Sequence, residues 1–460
     1  MTSPLSELLH RKRHAYSDQG FTPDFMPDCL FDFQKSLVEW AVNKGRAALF
    51  VDCGGGKSFM EVVFAENVVR RSNRPVLILT PLAVARQMVG EAAKLGVEAV
   101  KSTDGKIPPG AKIVVTNYDR LHHFNANDFA GCVADESSIL KNCDGKTKAL
   151  VTDFMRKMSY RLLATATPSP NDLIELGTSS EALGYMGFND MLTTFFKKDE
   201  DRKTNSRKDE FRSGVWRFRG HAETHFFKWM NAWSRAMRKP SDLGFSDAKF
   251  KLPKLLTREI TIANSRPMEG YLMALPASGW KEERRERRET IYLRCDAAAE
   301  RHNSHDRPSV AWCHLNPEGD ELTRSIKGAV QVSGSDSMES KEEAFEAFAA
   351  GQITKLVTKP DIAGFGLNWQ HCAHQTFFPS HSFEKYYQAV RRSWRFGQKR
   401  DVQIDLITSE GESGVLANLL RKAANADLLF DRLVSHMGRK RDIVLNREHK
   451  QSTLTPSWLA

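Results

Sequence analysis

Short apolar runs alternate with amphipathic stretches through the first half of the chain. The runs with the length and composition of buried strands are residues 47–51, 76–79, 113–115 and 132–134. Residues 59–70 and 83–95 lie between them and carry apolar side chains at helical spacing. Strands that alternate with helices predict a parallel sheet whose two faces are both covered.

The second half of the chain repeats this pattern, with helical stretches between its apolar runs. Its strand candidates are residues 310–313, 328–332, 355–357 and 402–407. Between the halves, residues from about 190 to 255 are rich in charged and aromatic side chains, and the mixed-charge run at 281–289 is typical of a solvated helix face. The prediction is an α/β protein with an N-terminal extension (1–25), a first lobe (26–188), an aromatic and basic helical insert (189–255), a second lobe (256–440) and a C-terminal tail (441–460).

Length and composition fit this division. At 460 residues the chain is long enough for two or three domains, and its hydrophobic share of 41% is that of a globular protein. No apolar stretch reaches the length of a membrane span, and the first residues lack the apolar core of a signal peptide, so we expect a cytoplasmic protein without membrane contact. The seven cysteines are scattered without a CxxC pair, which fits a reducing compartment better than a disulfide framework or a zinc site.

A glycine-rich segment stands between the apolar run at 47–51 and the helical stretch at 59–70. This order of strand, loop and helix is the context that a phosphate-binding loop needs. The residues whose backbone N–H groups would bind phosphate are Cys53, Gly54, Gly55 and Gly56. Lys57 would contact the β- and γ-phosphates, and the Ser58 hydroxyl would coordinate Mg²⁺. Val51 stands where the general motif has glycine, so a glycine-rich turn without this function stays the alternative.

Two adjacent carboxylates follow the apolar run at 132–134. Asp135 stands at the predicted carboxyl end of a strand, where it can hold Mg²⁺ through the water shell of the ion. Glu136 can polarise an attacking water as general base. Two such carboxylates often cap the next helix instead, and this alternative stays open. The segment at 164–168 carries threonine hydroxyls that could link the γ-phosphate site to movement of the lobes.

The order of these segments resembles the superfamily-two helicases, specifically their Swi/Snf-like branch. The matching segments, spread over roughly residues 31–398, are Phe33-Gln34, residues 78–82 with Gln87, residues 115–118, the acidic segment 135–138, residues 361–368 with their Gly-Leu-Asn core, and residues 388–398. The acidic segment departs from the DEAH-type box of the family, because Ser137 and Ser138 replace its last two residues. The magnesium and base roles survive this change, whereas the role of the final residue is left open.

The resemblance implies two RecA-like lobes that form an inter-lobe ATP cleft, with an α-rich insert between them. By the same resemblance Gln34 would read the adenine, and Gly366 and Gln388 would contribute to the nucleotide site. The residues that it implies in contact with nucleic acid are Thr80, Pro81 and Asn117.

The last matching segment reads Q-A-V-R-R-S-W-R-F-G-Q and resembles the arginine motif of that branch. Gln388, Arg392 and Arg395 fall at positions i, i+4 and i+7, which predicts one face of a helix. Presented across a cleft, such arginines stabilise the charge on a phosphoryl group in transfer, an effect worth roughly 10³–10⁵ in rate in other NTPases. A basic amphipathic helix on a solvated or acid-binding surface is the alternative, which the preceding segments in family order disfavour.

The insert interleaves aromatic and basic side chains. Trp216 and Arg217, within the run V-W-R-F-R, suit stacking on bases or tracking a nucleic-acid backbone. Packing is the competing interpretation, in which Trp229 and Trp233, four residues apart, form an apolar stripe that docks on the first lobe. Both interpretations stay open, and they can hold for different residues.

Together these observations predict an ATP hydrolase that uses ATP and Mg²⁺ to move along or remodel DNA. The resemblance favours a monomeric translocase on duplex DNA, like the short Swi/Snf-like helicases of bacteriophages and bacteria, with mainly phosphate contacts and salt-sensitive binding. A formal charge of +10, from 67 Lys and Arg against 57 Asp and Glu, suits a polyanion partner without establishing one. Two alternatives stay open: a strand-separating helicase on forks or RNA-containing duplexes, and a nucleic-acid-binding scaffold with weak ATPase activity.

Overall fold

The computed structural model describes residues 19–81, 84–170, 172–198, 216–219, 222–263, 280–363 and 368–437. Within these ranges the chain is an α/β protein with two parallel sheets and one short antiparallel pair, so the predicted fold class is confirmed at this level. None of the helices in these ranges combines the length and the apolar character that a membrane span requires. The predicted tail (441–460) and most of the N-terminal extension (1–25) lie outside the described residues.

The predicted apolar runs coincide with strands of the structure. In chain order the described strands are β1 (Arg46–Val51), β2 (Val76–Thr80), β3 (Ala99–Lys101), β4 (Ile113–Asn117), β5 (Gly131–Asp135), β6 (Tyr160–Thr165), β7 (Phe196–Lys198), β8 (Trp216–Phe218), β9 (Ser234–Met237), β10 (Leu255–Ile262), β11 (Ser309–Trp312), β12 (Ala329–Val332), β13 (Lys355–Thr358), β14 (His374–Phe377) and β15 (Val402–Ser409). The described α-helices are α1 (Asp32–Lys44), α2 (Lys57–Ser72), α3 (Ala85–Lys94), α4 (Lys146–Met155), α5 (Leu176–Leu183), α6 (Phe188–Phe195), α7 (Ala222–Asn231), α8 (Trp280–Glu289), α9 (Ile291–Asn303), α10 (Asn316–Ser325), α11 (Met338–Ala349), α12 (Pro360–Ala363), α13 (Phe383–Val390) and α14 (Ser413–His436). The two predicted helical stretches coincide with α2 and α3, and the mixed-charge run with α8.

The first sheet has the strand order β3-β4-β2-β5-β6-β1-β9, and every neighbouring pair is parallel. Strands β2, β4 and β5 are buried along their whole length, as in a sheet that is covered on both faces. Because the carboxyl ends of parallel strands meet at one edge, this edge collects the segments that follow β1, β2, β4, β5 and β6. The candidate residues from Cys53 to Ser58, and Thr80, Pro81, Asn117, Asp135 and Glu136, lie at this edge, whereas Gln34 lies on α1 before the first strand.

Most of the described part of the predicted insert (189–255) packs with the first sheet. Its strand β9 extends that sheet by pairing with β1, so that Ala48 lies opposite Ser234. Trp229 and Trp233 are buried with ring centroids 5.4 Å apart, and they pack into the first hydrophobic core. Both tryptophans therefore pack as the second interpretation predicts, but not as one helical stripe, because α7 ends at Asn231 and Trp233 lies beyond it. The first structural unit thus continues to β9, well past the predicted boundary at residue 188.

The second sheet has the strand order β10-β15-β14-β11-β13-β12 and is also parallel throughout. Its edge strand β10 pairs with β15 over eight residues, from Leu255 opposite Val402 to Ile262 opposite Ser409. The buried strand β14 carries polar side chains that have partners inside the sheet: Gln375, for example, accepts a hydrogen bond from the indole of Trp312 at 2.8 Å. The segment after β14 passes through α13 toward the first unit.

The 24-residue helix α14 connects the two units. Leu416, near its start, packs into the core of the second unit, whereas Leu429, Phe430 and Leu433 pack into the core of the first. Arg238, which follows β9, forms ion pairs with two aspartates on the same helix, at 3.1 and 2.7 Å. A helix of this length spans about 36 Å, so it bridges both cores.

Candidate functional site

A cavity of about 90 Å³ lies between the two units at the carboxyl edge of the first sheet. Its lining from the first unit includes Cys53, Gly54, Gly56, Lys57, Ser58, Asp135 and Glu136. Its lining from the second unit includes Arg391, Arg392 and Arg395, which belong to residues 391–395, here called the arginine segment. The structure therefore brings the predicted phosphate loop, acidic pair and arginines together around one cavity.

The glycine-rich loop turns sharply between β1 and α2. Gly54 and Gly56 have φ angles of +87° and +80°, a left-handed conformation that residues with a β-carbon rarely adopt. Gly54 also lies against the second unit, since a β-carbon there would stand 2.8 Å from the backbone nitrogen of Phe396. Glycine at position 54 is thus required both by the turn and by the close approach of the arginine segment.

Lys57 is the first residue of α2, and its ammonium group donates a hydrogen bond to the carbonyl oxygen of Val51 at 2.9 Å. This contact uses only the backbone of Val51, whose side chain is buried in the first core, so the missing glycine of the general motif does not disturb it. A phosphate in the cavity would compete well for this lysine, because a charge-assisted hydrogen bond is stronger than one to a neutral carbonyl.

Gln34 connects α1 to the glycine-rich loop. Its side-chain nitrogen donates a hydrogen bond to the carbonyl oxygen of Gly55 at 3.0 Å, and its side-chain oxygen accepts one from the backbone N–H of Phe31 at 2.9 Å. A β-carbon on Gly56 would collide with the same amide. In this structure Gln34 supports the loop, and its role in reading adenine stays a prediction.

Glu136 is held by hydroxyl groups from two neighbouring segments. Its backbone φ of +54° is uncommon for a residue with a side chain. Its Oε1 accepts hydrogen bonds from the hydroxyls of Thr165, at 2.5 Å, and Ser138, at 2.9 Å. Ser138, at the last position of the acidic segment, thus orients Glu136. Among the described contacts, the Glu136 side chain does not cap the 3₁₀ turn that follows, so helix capping does not explain this residue.

Three carboxyl groups lie close together in the first unit, two of them lining the cavity and the third, Glu61, buried behind them. Burial, together with the charge of Glu136, raises the pKa of Asp135 to about 6. Glu61 is fully buried beside Asp135, and burial and the Asp135 charge raise its pKa well above the usual range. Sequence reasoning missed Glu61, although its position four residues after Lys57 places it on the same face of α2.

Ser58 and Asp135 are suitable ligands for a magnesium ion. Mg²⁺ prefers oxygen ligands and keeps several waters, so one carboxylate and one hydroxyl are an ordinary protein contribution. The raised pKa of Asp135 indicates a carboxylate whose charge the surrounding protein does not fully offset, which a cation would do. Within the described ranges there is no cluster of three or more His, Cys, Asp or Glu side chains with metal-binding geometry.

The arginine segment does not continue the helix that precedes it. Helix α13 ends at Val390, so Gln388 is helical while Arg392 and Arg395 lie in turns beyond the helix end. The prediction of one helix face is therefore wrong. The carbonyl oxygen of Arg392 accepts a hydrogen bond from the backbone N–H of Trp369 at 2.9 Å, and this long-range bond takes the place of the next helical one.

Arg392 and Arg395 nevertheless face the phosphate loop across the cavity. Burial lowers the pKa of Arg392 to about 10, and burial also lowers the pKa of Arg395. A lowered arginine pKa means that the surroundings destabilise the charged form. Both guanidinium groups line the cavity opposite the phosphate loop, where an anion would favour their charged form.

A second inter-unit cavity, of about 370 Å³, adjoins the first and shares Glu136 with it. Its lining includes the predicted nucleic-acid residues Thr80, Pro81 and Asn117 as well as Gln388. Thr80 is fully buried, and its hydroxyl donates a hydrogen bond to the carbonyl of Thr116 at 3.4 Å. Asn117 Oδ1 and Gln388 Nε2 are buried without a hydrogen-bond partner among the described residues. Gln388, which the resemblance assigned to the nucleotide site, thus lines the same cavity as the predicted nucleic-acid residues, and its nucleotide role stays a prediction.

Trp216 and Arg217 lie apart from both cavities on strand β8. This strand pairs antiparallel with β7, so that Arg217 lies opposite Lys197, and both of these basic residues are exposed. Trp216 is half-buried against the first core. Their contact with nucleic acid stays a prediction. Gly366 falls outside the described residues.

A scan of the chain against protein-family models finds no match, and a search of curated proteins finds none either. The likeness to the Swi/Snf-like helicases therefore rests on the motifs quoted above.

Proposed function

We propose that this protein is an ATP-driven motor of the Swi/Snf-like helicase kind, which moves along duplex DNA by hydrolysing ATP between two RecA-like lobes. The observation that supports this most is the first cavity, where a phosphate loop and carboxylates on one unit face arginines on the other. Anion-binding groups on both walls suit a nucleoside triphosphate, because its terminal phosphate develops charge as it is transferred.

The first unit would bind ATP and prepare the attacking water. Lys57 and the loop N–H groups other than those of Cys53 and Gly55, which Asp52 already engages, would hold the β- and γ-phosphates. Glu136, which the hydroxyls of Thr165 and Ser138 orient, would accept the proton of the water. A magnesium ion held by Ser58 and Asp135 would neutralise phosphate charge when bound.

The second unit would stabilise the charge that develops on the terminal phosphate. Arg392 and Arg395 are the groups placed to do this, since both line the cavity opposite the loop. At about 90 Å³ the cavity is smaller than the roughly 300 Å³ or more of typical ligand pockets, so the units would part to admit ATP. Hydrolysis would then be coupled to opening and closing of the units.

Movement of the units would be transmitted to DNA at their shared surface. The second cavity is lined by predicted nucleic-acid residues of the first unit and by Gln388 of the second. A change in the spacing between the units would therefore change the shape of this cavity. The formal charge of +10 and the resemblance to a branch that translocates on duplex DNA both support this partner.

The first experiment measures ATP hydrolysis with and without single-stranded, duplex, forked and RNA substrates. We expect duplex DNA to stimulate turnover of the wild-type protein several-fold, and Lys57→Ala to abolish turnover because the phosphates lose their cation. Lys327→Ala is the matched control, since this lysine is exposed just before β12, at the edge of the second sheet away from the cavity. Wild-type protein that hydrolyses no ATP, or Lys57→Ala protein with normal turnover, would contradict the proposal.

A second experiment separates translocation from strand separation. The protein is given a triplex whose third strand can be displaced and, in parallel, a forked duplex. Displacement of the third strand without unwinding of the fork is the expected result for a duplex translocase. Unwinding of the fork without triplex displacement would favour a strand-separating helicase instead.

A further inference from the structure

The carboxylate of Asp52 joins the phosphate loop to the second unit. Asp52 directly follows β1 and is buried, and its Oδ1 accepts the backbone N–H of Cys53 at 2.6 Å. The same oxygen accepts a hydrogen bond from the hydroxyl of Tyr387, and Oδ2 accepts one from the guanidinium of Arg391. These partners stand 335 and 339 residues further along the chain, at the end of α13 and directly after it.

Arg391 is held differently from the arginines that follow it. Its guanidinium carbon lies 5.2 Å from the ring centroid of Tyr387 and 4.2 Å from that of Trp394. Burial by itself disfavours the charged form, but the Asp52 carboxylate and Tyr387 outweigh burial and raise the pKa of Arg391. For the adjacent Arg392, burial prevails and the pKa is lowered. The Asp52 carboxylate thus accounts for the raised pKa of Arg391, whereas burial dominates at Arg392.

This ion pair links the two walls of the first cavity. Asp52 holds the first N–H group of the phosphate loop, and Arg391 is the first residue of the arginine segment. Both side chains are buried. Removing either partner would therefore leave an uncompensated buried charge, which is strongly destabilising. By contrast, the ion pair between Arg238 and Asp427 also joins the first unit to α14 but is solvent-exposed at the aspartate.

We propose, on the basis of the proposed function, that Asp52, Tyr387 and Arg391 are positioning residues that hold the arginine segment in register with the phosphate loop. Arg392 and Arg395 would reach the terminal phosphate of ATP only while this contact is formed. The three residues would not touch the reacting atoms. Asp52 in particular would repel phosphate, and both of its oxygens are already engaged by protein groups.

The test is the substitution Asp52→Asn, which keeps the size of the side chain and an acceptor oxygen but removes the charge. We expect kcat for ATP to fall by roughly 10- to 100-fold, as for a misplaced catalytic group, while KM changes by less than about threefold. The affinity for ADP, measured by fluorescence titration, should also change by less than about threefold, because the first unit would make the contacts with the diphosphate. The control Asp427→Asn makes the same chemical change in the exposed ion pair and should leave kcat within about twofold of wild type.

Substitutions of Arg391 supply an independent comparison. Arg391→Lys keeps the positive charge and should retain more of the wild-type kcat than Arg391→Gln, which keeps a polar side chain without the charge. Circular dichroism and the urea midpoint establish whether each variant is folded. If Asp52→Asn does not fold, the comparison of Arg391→Lys with Arg391→Gln decides the question.

Two results would overturn the inference. One is a folded Asp52→Asn or Arg391→Gln protein with wild-type kcat. The position of the arginine segment against the phosphate loop would then not depend on the ion pair. The other is a loss of ADP affinity parallel to the loss of kcat, because Asp52 would then act in nucleotide binding. If the wild-type protein in the same series hydrolyses no ATP, the proposed function itself fails and this inference fails with it.

Discussion

Across the first cavity, the first unit presents a glycine-rich loop, a lysine and carboxyl groups, whereas the second unit presents arginines. The wall of the first unit is assembled at the carboxyl ends of parallel strands β1, β2 and β5 of one sheet, so the sheet itself fixes their spacing. The wall of the second unit is one irregular stretch after α13. Its position depends on distant partners such as Asp52 and Trp369.

This difference separates two kinds of contribution to catalysis. In the proposed mechanism, groups fixed by the first sheet would bind the nucleotide and activate water whether or not the second unit is close. The arginines would act only when the two units are in register, so they would supply rate but little ground-state affinity. Substitutions on the second wall should therefore lower kcat selectively, and substitutions on the first wall should affect binding or the water.

The largest effect that tests this distinction is expected for Arg395→Ala. Loss of an arginine that stabilises the transferred phosphoryl group should lower kcat by roughly 10³-fold or more, with little change in ADP affinity. The measurement is DNA-stimulated turnover together with ADP titration. Arg400→Ala is the control, since this exposed arginine donates to the backbone carbonyl of His371 and does not line the cavity. Near-normal stimulated turnover in Arg395→Ala would remove the arginine from the mechanism.

A smaller effect is expected on the first wall when the hydroxyls that orient Glu136 are removed. Ser138→Ala and Thr165→Val each take away one hydrogen bond to Oε1. The loss of one orienting bond to a carboxylate, worth about 1.5 kcal/mol, should lower kcat roughly tenfold and leave ADP affinity unchanged. Ser304→Ala, which removes an exposed hydroxyl in the second unit, is the control. Unchanged turnover in both variants would show that Glu136 does not need these hydroxyls.

The parts of the molecule that the sequence predicted well are those determined by local pattern. Buried strands such as β2 and β5 are continuous apolar runs, and the loop after β1 combines glycines with Lys57 in the required order. Strand β9 reads S-R-A-M and carries no apolar run, although it is buried as the edge strand beside β1. Strand β14 reads H-Q-T-F, and its polar side chains are buried because distant residues satisfy them.

The parts that could not be predicted depend on contacts between the units. The spacing of Gln388, Arg392 and Arg395 satisfies a helix, yet the helix ends at Val390. Beyond it the N–H groups of residues 392 and 393 bond three residues back, and the carbonyl of Arg392 accepts from the distant Trp369. The pair formed by Asp52 and Arg391 joins residues 339 positions apart, and neither residue type indicates the other. Tertiary contacts of this kind override the local helical preference.

The smallest expected effect concerns pH, to which the two units should respond in opposite directions. In the second unit His302 is buried, with its ring nitrogens 2.7 and 3.0 Å from the hydroxyls of Ser309 and Thr376. Burial lowers the pKa of His302 well below its ordinary value of 6.5. Below pH 6.5 the unfolded chain therefore binds a proton that the folded unit does not, and the free energy of unfolding of the second unit falls as pH falls, by at most about 1.4 kcal/mol per pH unit.

In the first unit Glu61 reverses this sign. Its pKa is raised by burial above the ordinary 4.5, so above that pH the unfolded chain releases a proton that the folded unit retains, and stability falls as pH rises. Hydrogen exchange at about pH 5.5 and 7, corrected for the intrinsic rate, would follow α2 and β5 for the first unit and β11 and β14 for the second. Acidification should protect the first set relative to the second. Glu61→Gln should weaken only the first response, to which the raised pKa of Asp135 also contributes, and His302→Gln should weaken only the second, to which the lowered pKa of His314 also contributes. The prediction would be wrong if acidification changed the protection of both units in the same direction. It would also be wrong if either substitution changed the pH response of the other unit.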